Sequence, residues 1–231
     1  GPKQLAEALG GTRRPLPTYN SLGLYSDKTV IQACEETLAQ GFAGMKIKTG
    51  WPTFSEDLAA VRAAKKRLGD KVALMIDFNQ SLTRAEALAR CRGLDDEGVV
   101  WFEEPIAADD HEGCAQIAAE VKTPVMIGEN FQGPHDMANA LRAKAADFVL
   151  MPIQPQLFDI ETLNSVKDIL TLADNPSAAV VVNRASTQGK RHIETQDAAV
   201  AQGFAVCPVV IFARAAHGDA GNIGQTAAEY D

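Results

Sequence analysis

Eight short runs rich in β-branched residues, separated by amphipathic stretches, run along this chain of 231 residues. The candidate strands are Pro17 to Leu22, Gly44 to Lys48, Val72 to Phe78, Val99 to Glu103, Val125 to Gly128, Phe148 to Ile153, Ala178 to Asn183 and Val206 to Phe212. Such alternation is the signature of βα units around a parallel sheet. An open doubly wound sheet of eight strands would be unusually wide. Eight strands with seven or eight helices instead match the count for a closed barrel of about 250 residues. The expectation is an α/β fold, a single (β/α)8 TIM-like barrel.

The helices between the strands have legible ends. Ser26 or Asp27 opens one that stops at Gly41, Ser55 opens one that stops at Gly69, and Thr83 opens one that stops before Gly98. In the second, Leu58, Val61 and Leu68 recur at helical spacing while Arg62, Lys65 and Lys66 take the other face, a stripe suited to packing on a sheet. Asp159 caps another helix, with Leu163, Val166, Ile169 and Leu170 on its inner side, and Gly189 to Gln202 forms a more polar one.

With 46% apolar and 23% charged residues the chain can bury a core, which excludes intrinsic disorder and a small disulfide scaffold. A net charge of −8 without any basic block argues against nucleic acid or an anionic membrane as partner. Cys34, Cys91, Cys114 and Cys207 form no C-x-x-C pair and have no histidine at metal-finger spacing, so they read as buried thiols of a reducing, cytoplasmic compartment. The longest apolar stretch, Phe204 to Ala213, is interrupted by Pro208 and is far too short for a membrane helix. The chain opens Gly1-Pro2 without methionine, as a protease-cleaved tag would leave it, so residues 1–14 are expected to be tag remnant and lead-in of a recombinant chain.

Three acids stand at the C-terminal ends of successive strands, Asp77 in IDFN, Glu103 in FEEP and Glu129 in IGEN, each 26 residues after the last. In a barrel this spacing puts one carboxylate at the same height on three neighbouring strands, at the rim where barrel enzymes do their chemistry. Three hard oxygen ligands suit Mg²⁺, and Mn²⁺ almost as well; any one of them alone would more simply cap a helix or meet a lysine. Lys46 and Lys48, two apart on the second strand, point to the same side. Two ammonium groups held side by side disfavour each other's charged form, which prepares a lysine as general base.

These residues carry a resemblance. The stretch from about residue 15 to residue 144 resembles the first five βα units of the mandelate racemase subgroup of the enolase superfamily, with K-x-K, D-F-N, E-E-P and G-E-N in order. The resemblance implies Mg²⁺ held by Asp77, Glu103 and Glu129. It implies Lys48 as the base that takes a proton α to a substrate carboxylate, with Lys46 tuning it. Ser21 and Asn79 match positions that contact substrate in that family. Beyond residue 144 the pattern departs. Ile153 stands where the family's acid ends the sixth strand, the seventh offers Asn183 and Arg184 but no histidine, and no glutamate ends the eighth. His111, His135, His192 and His217 fall in helix or loop sequence, where a surface role is expected. No counterpart of that family's N-terminal capping domain is expected from residues 3–14, which are too short to replace it.

Residues 147–231, with DFVLMPIQPQLFD, AAVVVNRAS and a closing GQTAAEYD, resemble the C-terminal part of a ParA-type partition ATPase, in which Asn183 and Arg184 would lie near the base. The chain has no G-x-x-x-x-G-K-[ST] loop, so ATP hydrolysis is not expected. Taken together, the expectation is one domain over residues 15–231, an engineered chimera of a racemase-like part (15–146) and a P-loop-type part (147–231). Such a scaffold would keep a weak, vestigial Mg²⁺ site without a full catalytic cycle. The alternative is a Mg²⁺-dependent racemase or dehydratase acting by α-proton abstraction on a 2-hydroxy acid.

Overall fold

The computed structural model describes residues 18–186 and 188–213. They fall into two compact units, divided between Ala146 and Asp147. The first contains β1 (Tyr19–Leu24), α1 (Val30–Ala39), β2 (Gly44–Lys48), α2 (Phe54–Leu68), β3 (Ala73–Asp77), α3 (Arg84–Leu94), β4 (Phe102–Glu103), α4 (His111–Glu120), β5 (Val125–Met126) and α5 (Pro134–Arg142). The second contains β6 (Phe148–Ile153), α6 (Leu157–Leu172), β7 (Ser177–Ala185), α7 (Arg191–Ala201) and β8 (Ala205–Phe212). No helix among the described residues is long and apolar enough to cross a membrane.

All eight expected strands are present, and every pairing is parallel, as helical crossovers require. Their hydrogen bonds make two sheets, β1-β2-β3-β4-β5 and β6-β7-β8, rather than the single closed sheet that the strand count predicts. Counting βα units establishes parallel order, whereas closure depends on ladder length and stagger at the edges. Here β4 and β5 are two residues long, shorter than the expected Val99–Glu103 and Val125–Gly128. Pro105 and Pro124 border them and lack the N–H that a ladder needs. The first strand starts at Tyr19, and Pro17 lies outside the described residues.

Local chemistry explains the helix starts. Thr83 opens α3 through a capping box in which its hydroxyl accepts from the Glu86 N–H and the Glu86 carboxylate accepts from the Thr83 N–H. The same device at Thr53 and Glu56 opens α2 two residues before the expected Ser55. Ser26 and Thr29 exchange hydrogen bonds in a turn, so α1 begins at Val30. In α6 Asp159 sits in the first turn, where its carboxylate accepts from the Gln154 N–H at 2.6 Å. The core of the first unit is the helix-facing side of the sheet, with Met45, Ile47, Leu74, Ile76 and Phe102 fully buried against residues such as Val61, Cys91, Leu94 and Ile117 of the helices.

Candidate functional site

Strand alternation separates the sheet of the first unit into an apolar face and a polar face. Ser21 is in register with Lys46, Lys48 with Asp77, and Asp77 with Glu103. Parallel register partners share a face, so these five residues occupy one side while Met45, Ile47, Ile76 and Phe102 take the side covered by helices. The apolar parity of the strands is what turns the candidate residues together.

At the centre is Lys46, 8% exposed. Its Nζ donates to Glu103 Oε1 at 2.6 Å and lies 3.4 Å from Asp77 Oδ2. Burial is the largest single influence on this ammonium and would lower its pKa. The hydrogen bond and charge of Glu103, with the charge of Asp77, outweigh burial and hold the pKa above its ordinary value. The depressed pKa expected for at least one of the two lysines is therefore not carried by Lys46, because two carboxylates lie against it. Lys48, one step up the same face, is exposed and has no ion pair among the described residues.

Each carboxylate has a second support. Trp101, two residues before Glu103 and on the same face, donates its indole N–H to Glu103 Oε2 at 2.9 Å. Asn79 donates its backbone N–H to Asp77 Oδ1 at 2.8 Å and its side-chain amide to Oδ2 at 3.1 Å. The side chain of Asn79 thus holds Asp77, while Ser21, the other residue matched to substrate contact, is exposed. Glu129 is exposed in the turn after β5, three residues past Met126, the register partner of Glu103. Among the described residues no three acids, histidines or cysteines gather closely enough to form a metal ligand set. Asp77 and Glu103 stand side by side at paired register positions, while Glu129 lies in the exposed turn just beyond β5.

Four residues that the sequence reading passed over belong to this rim. Glu104, 1% exposed, accepts two hydrogen bonds from the Asn130 amide at 2.7 and 3.0 Å and one from Gln80 Nε2 at 3.3 Å. Gln80 in turn accepts from the Ala108 N–H at 2.8 Å. Asn79, Gln80 and Glu104 all have left-handed backbones, with φ of 45°, 61° and 37°. Such strain costs of the order of 1 kcal/mol per residue and collects at functional rims, where the surroundings enforce it. Trp101 could have been found from its i, i+2 relation to Glu103. Asn130 could not, because its partner is 26 residues away.

The loop after β2 is anchored from below. Asp57, fully buried, accepts from the Gly50 and Trp51 N–H groups at 2.8 and 2.9 Å and pairs with Arg90 at 2.6 Å. Arg90 also donates to the carbonyls of Trp51 and Pro52. Lys48 therefore stands directly before a loop held by a buried ion pair.

In the second unit Ile153 is buried at the end of β6, and Asn183 and Arg184 lie within β7, where Asn183 Oδ1 accepts from the Arg184 N–H. His111 opens α4 and packs edge-on against Phe131, His135 is exposed in α5, and His192 packs against Phe212. His217 lies outside the described residues. Cys34, Cys91 and Cys114 are buried as expected, with burial pushing their thiols to about 11, 12 and 11; Cys207 is half-buried.

The donor set fits a divalent cation. Asp77 and Glu103 present hard carboxylate oxygens at paired register positions on one face, and a cation, the Lys46 ammonium, already lies against both. Two carboxylates and one ammonium leave one uncompensated negative charge, and Asp77 Oδ1 and both Glu103 oxygens each keep a lone pair beyond their one partner.

The profile of the family described as Enolase C-terminal domain-like matches residues 29–222. An L-talarate/galactarate dehydratase of Salmonella typhimurium is 32% identical over 168 residues, which cover 71% of this chain and 42% of that protein. An L-Ala-D/L-Glu epimerase of Bacillus subtilis is 31% identical over 147 residues, covering 63% and 40%. The crystal structure of an enolase from Bradyrhizobium complexed with magnesium and mandelic acid superposes with a TM-score of 0.57 at 33% identity, covering 76% of this chain and 48% of that one. The chain thus spans less than half the length of each. The family match continues well past residue 147, through the segment that resembled a ParA-type ATPase, and nothing in these similarities supports a P-loop fragment or an engineered junction. The chimera expectation is corrected accordingly. Strands and crossovers of the same hand occur in both folds, so short motifs such as LMPIQP do not tell them apart.

Proposed function

The chain belongs to the enolase C-terminal domain-like family, and on that premise we propose that it abstracts the α-proton of a carboxylic acid with Mg²⁺ bound, in a racemisation, epimerisation or dehydration. This reading replaces the inert scaffold expected from the sequence. The observation that carries it is the buried Lys46 ammonium lodged between the register partners Asp77 and Glu103.

Asp77 and Glu103 would hold the metal, with Glu129 as third donor. Mg²⁺, when bound, supplies positive charge where the substrate carboxylate gains electron density as the proton leaves. Trp101 and Asn79 fix the two carboxylates in place. Lys48, on the same face and free of any described ion pair, takes the proton at Nζ, and the electron pair of the broken C–H bond passes into the bond to the carboxylate carbon. Lys46 keeps its proton and offsets the negative charge of the site. Ser21, beside Lys46 on the exposed edge of this face, would contact the acid. The relatives point to a 2-hydroxy acid or acid sugar as substrate class.

The test is exchange of the α-proton of each mandelate enantiomer with deuterated buffer, with and without Mg²⁺. Metal-dependent exchange of one enantiomer, lost in Lys48→Ala, is expected. Exchange that survives Lys48→Ala, or that ignores the metal, overturns the assignment.

A further inference from the structure

The rim holds one further buried acid, the carboxylate of Glu104. It is buried directly after Glu103, has no cationic partner among the described residues, and is satisfied by amide N–H groups alone. A buried carboxylate without a counter-ion is costly, and hydrogen bonds to a charged acceptor are about twice as strong as neutral ones. The position spends that strength on three rim segments. The Glu104 carbonyl accepts from the Gln80 N–H at 2.8 Å, and its N–H donates to the Met126 carbonyl at 2.9 Å. Its side chain grips Gln80, which reaches on to Ala108, and Asn130 in the turn after β5.

Asn130 is the residue next to Glu129, so their Cα atoms are about 3.8 Å apart. The turn is closed by the Phe131 N–H on the Gly128 carbonyl at 3.1 Å, and Phe131 packs against His111. Two anchors therefore follow Glu129 directly, one polar at Asn130 and one apolar at Phe131, while its own carboxylate has no partner among the described residues. We propose that Glu104 is a positioning residue which, through Asn130, holds Glu129 at the rim as the third metal donor. The inference rests on the metal-site reading above and adds what keeps its most exposed ligand in place.

Calorimetric Mg²⁺ titration of the wild type, Asn130→Ala, Glu129→Gln and the double variant tests it. Asn130 is exposed, so its truncation leaves the core untouched. Loss of a residue that orients a ligand typically weakens metal binding about 10-fold, and that loss is expected for Asn130→Ala. In the Glu129→Gln background the same truncation should cost nothing further, a coupling that general loosening of the fold would not produce. Wild-type affinity in Asn130→Ala, or an equal loss in both backgrounds, overturns the tether alone. Wild-type affinity in Glu129→Gln overturns the third-donor assignment and the tether with it.

Discussion

In the five-stranded unit the helix-facing residues Met45, Ile47, Leu74, Ile76 and Phe102 are fully buried. In the three-stranded unit Phe148 and Leu150 of β6, and Leu157, Phe158 and Leu172 of α6, are more than half exposed. Strand length does not account for this, since β6, β7 and β8 run for six, nine and eight residues while β4 and β5 have two each. A parallel sheet is apolar on both faces and needs cover on both. The five-stranded sheet meets that demand by making its second face polar and pairing the charges there. The three buried ion pairs among the described residues, Lys46 with Asp77 and Glu103 and Arg90 with Asp57, all lie in this unit. Buried charge is tolerated where a dry, well-packed frame fixes its partners, and there it also acts most strongly. The chemistry and the complete core share one unit for that reason.

The largest way to break this comparison is at Asp57. Asp57→Ala strands Arg90 beneath the loop after β2 and should cost about 3–5 kcal/mol in urea unfolding. A loss below about 1 kcal/mol would mean that the buried charges of this unit are not structural.

Lys46→Met comes next, since it leaves Asp77 and Glu103 facing each other without compensation. In metal-free buffer the variant should be several kcal/mol less stable than the wild type, and saturating Mg²⁺ should restore more stability to it than to the wild type. The pH dependence has a definite sign. The folded-state pKa of Lys46 is raised, so its contribution is complete below the ordinary value of 10.5 and is lost as pH climbs through the raised one. Thermal melts should show the gap between wild type and variant narrowing only above that pH.

Thiol labelling compares the units directly. Cys34, Cys91 and Cys114, held at about 11 to 12 by burial, should resist iodoacetamide at neutral pH until the protein unfolds, while the half-buried Cys207 of β8 reacts first. Equal rates would show that the five-stranded core opens as readily as the three-stranded one. The smallest effect is expected at Phe158, 73% exposed. Phe158→Ser should change stability by no more than about 0.5 kcal/mol, and a larger loss would show that the exposed side of α6 is covered in solution.

Much of this molecule follows from local pattern. Eight short runs specified eight parallel strands, because each is too short for a helix and a helical segment separates it from the next. Capping residues placed α3 correctly and α2 within two residues, since the cap is a bond made inside four consecutive positions. The parity of K-x-K and the position of the acids at strand ends imply one shared face for Lys46, Lys48, Asp77 and Glu103, and the parallel register gives it. The sequence could not say that the ladders at β4 and β5 stop after two residues, or that the second segment shares the family of the first.

Which charges meet was decided by tertiary structure alone. Lys46 bonds Glu103 across 57 residues, Asp57 bonds Arg90 across 33, and Glu104 bonds Asn130 across 26. Each of these pairs depends on the register between strands and on the path of a rim loop. The pKa of Lys46 rises rather than falls for the same reason: the neighbour that matters most, Glu103, sits two strands away. Periodicity determines the face a side chain points to, and packing determines what waits for it there.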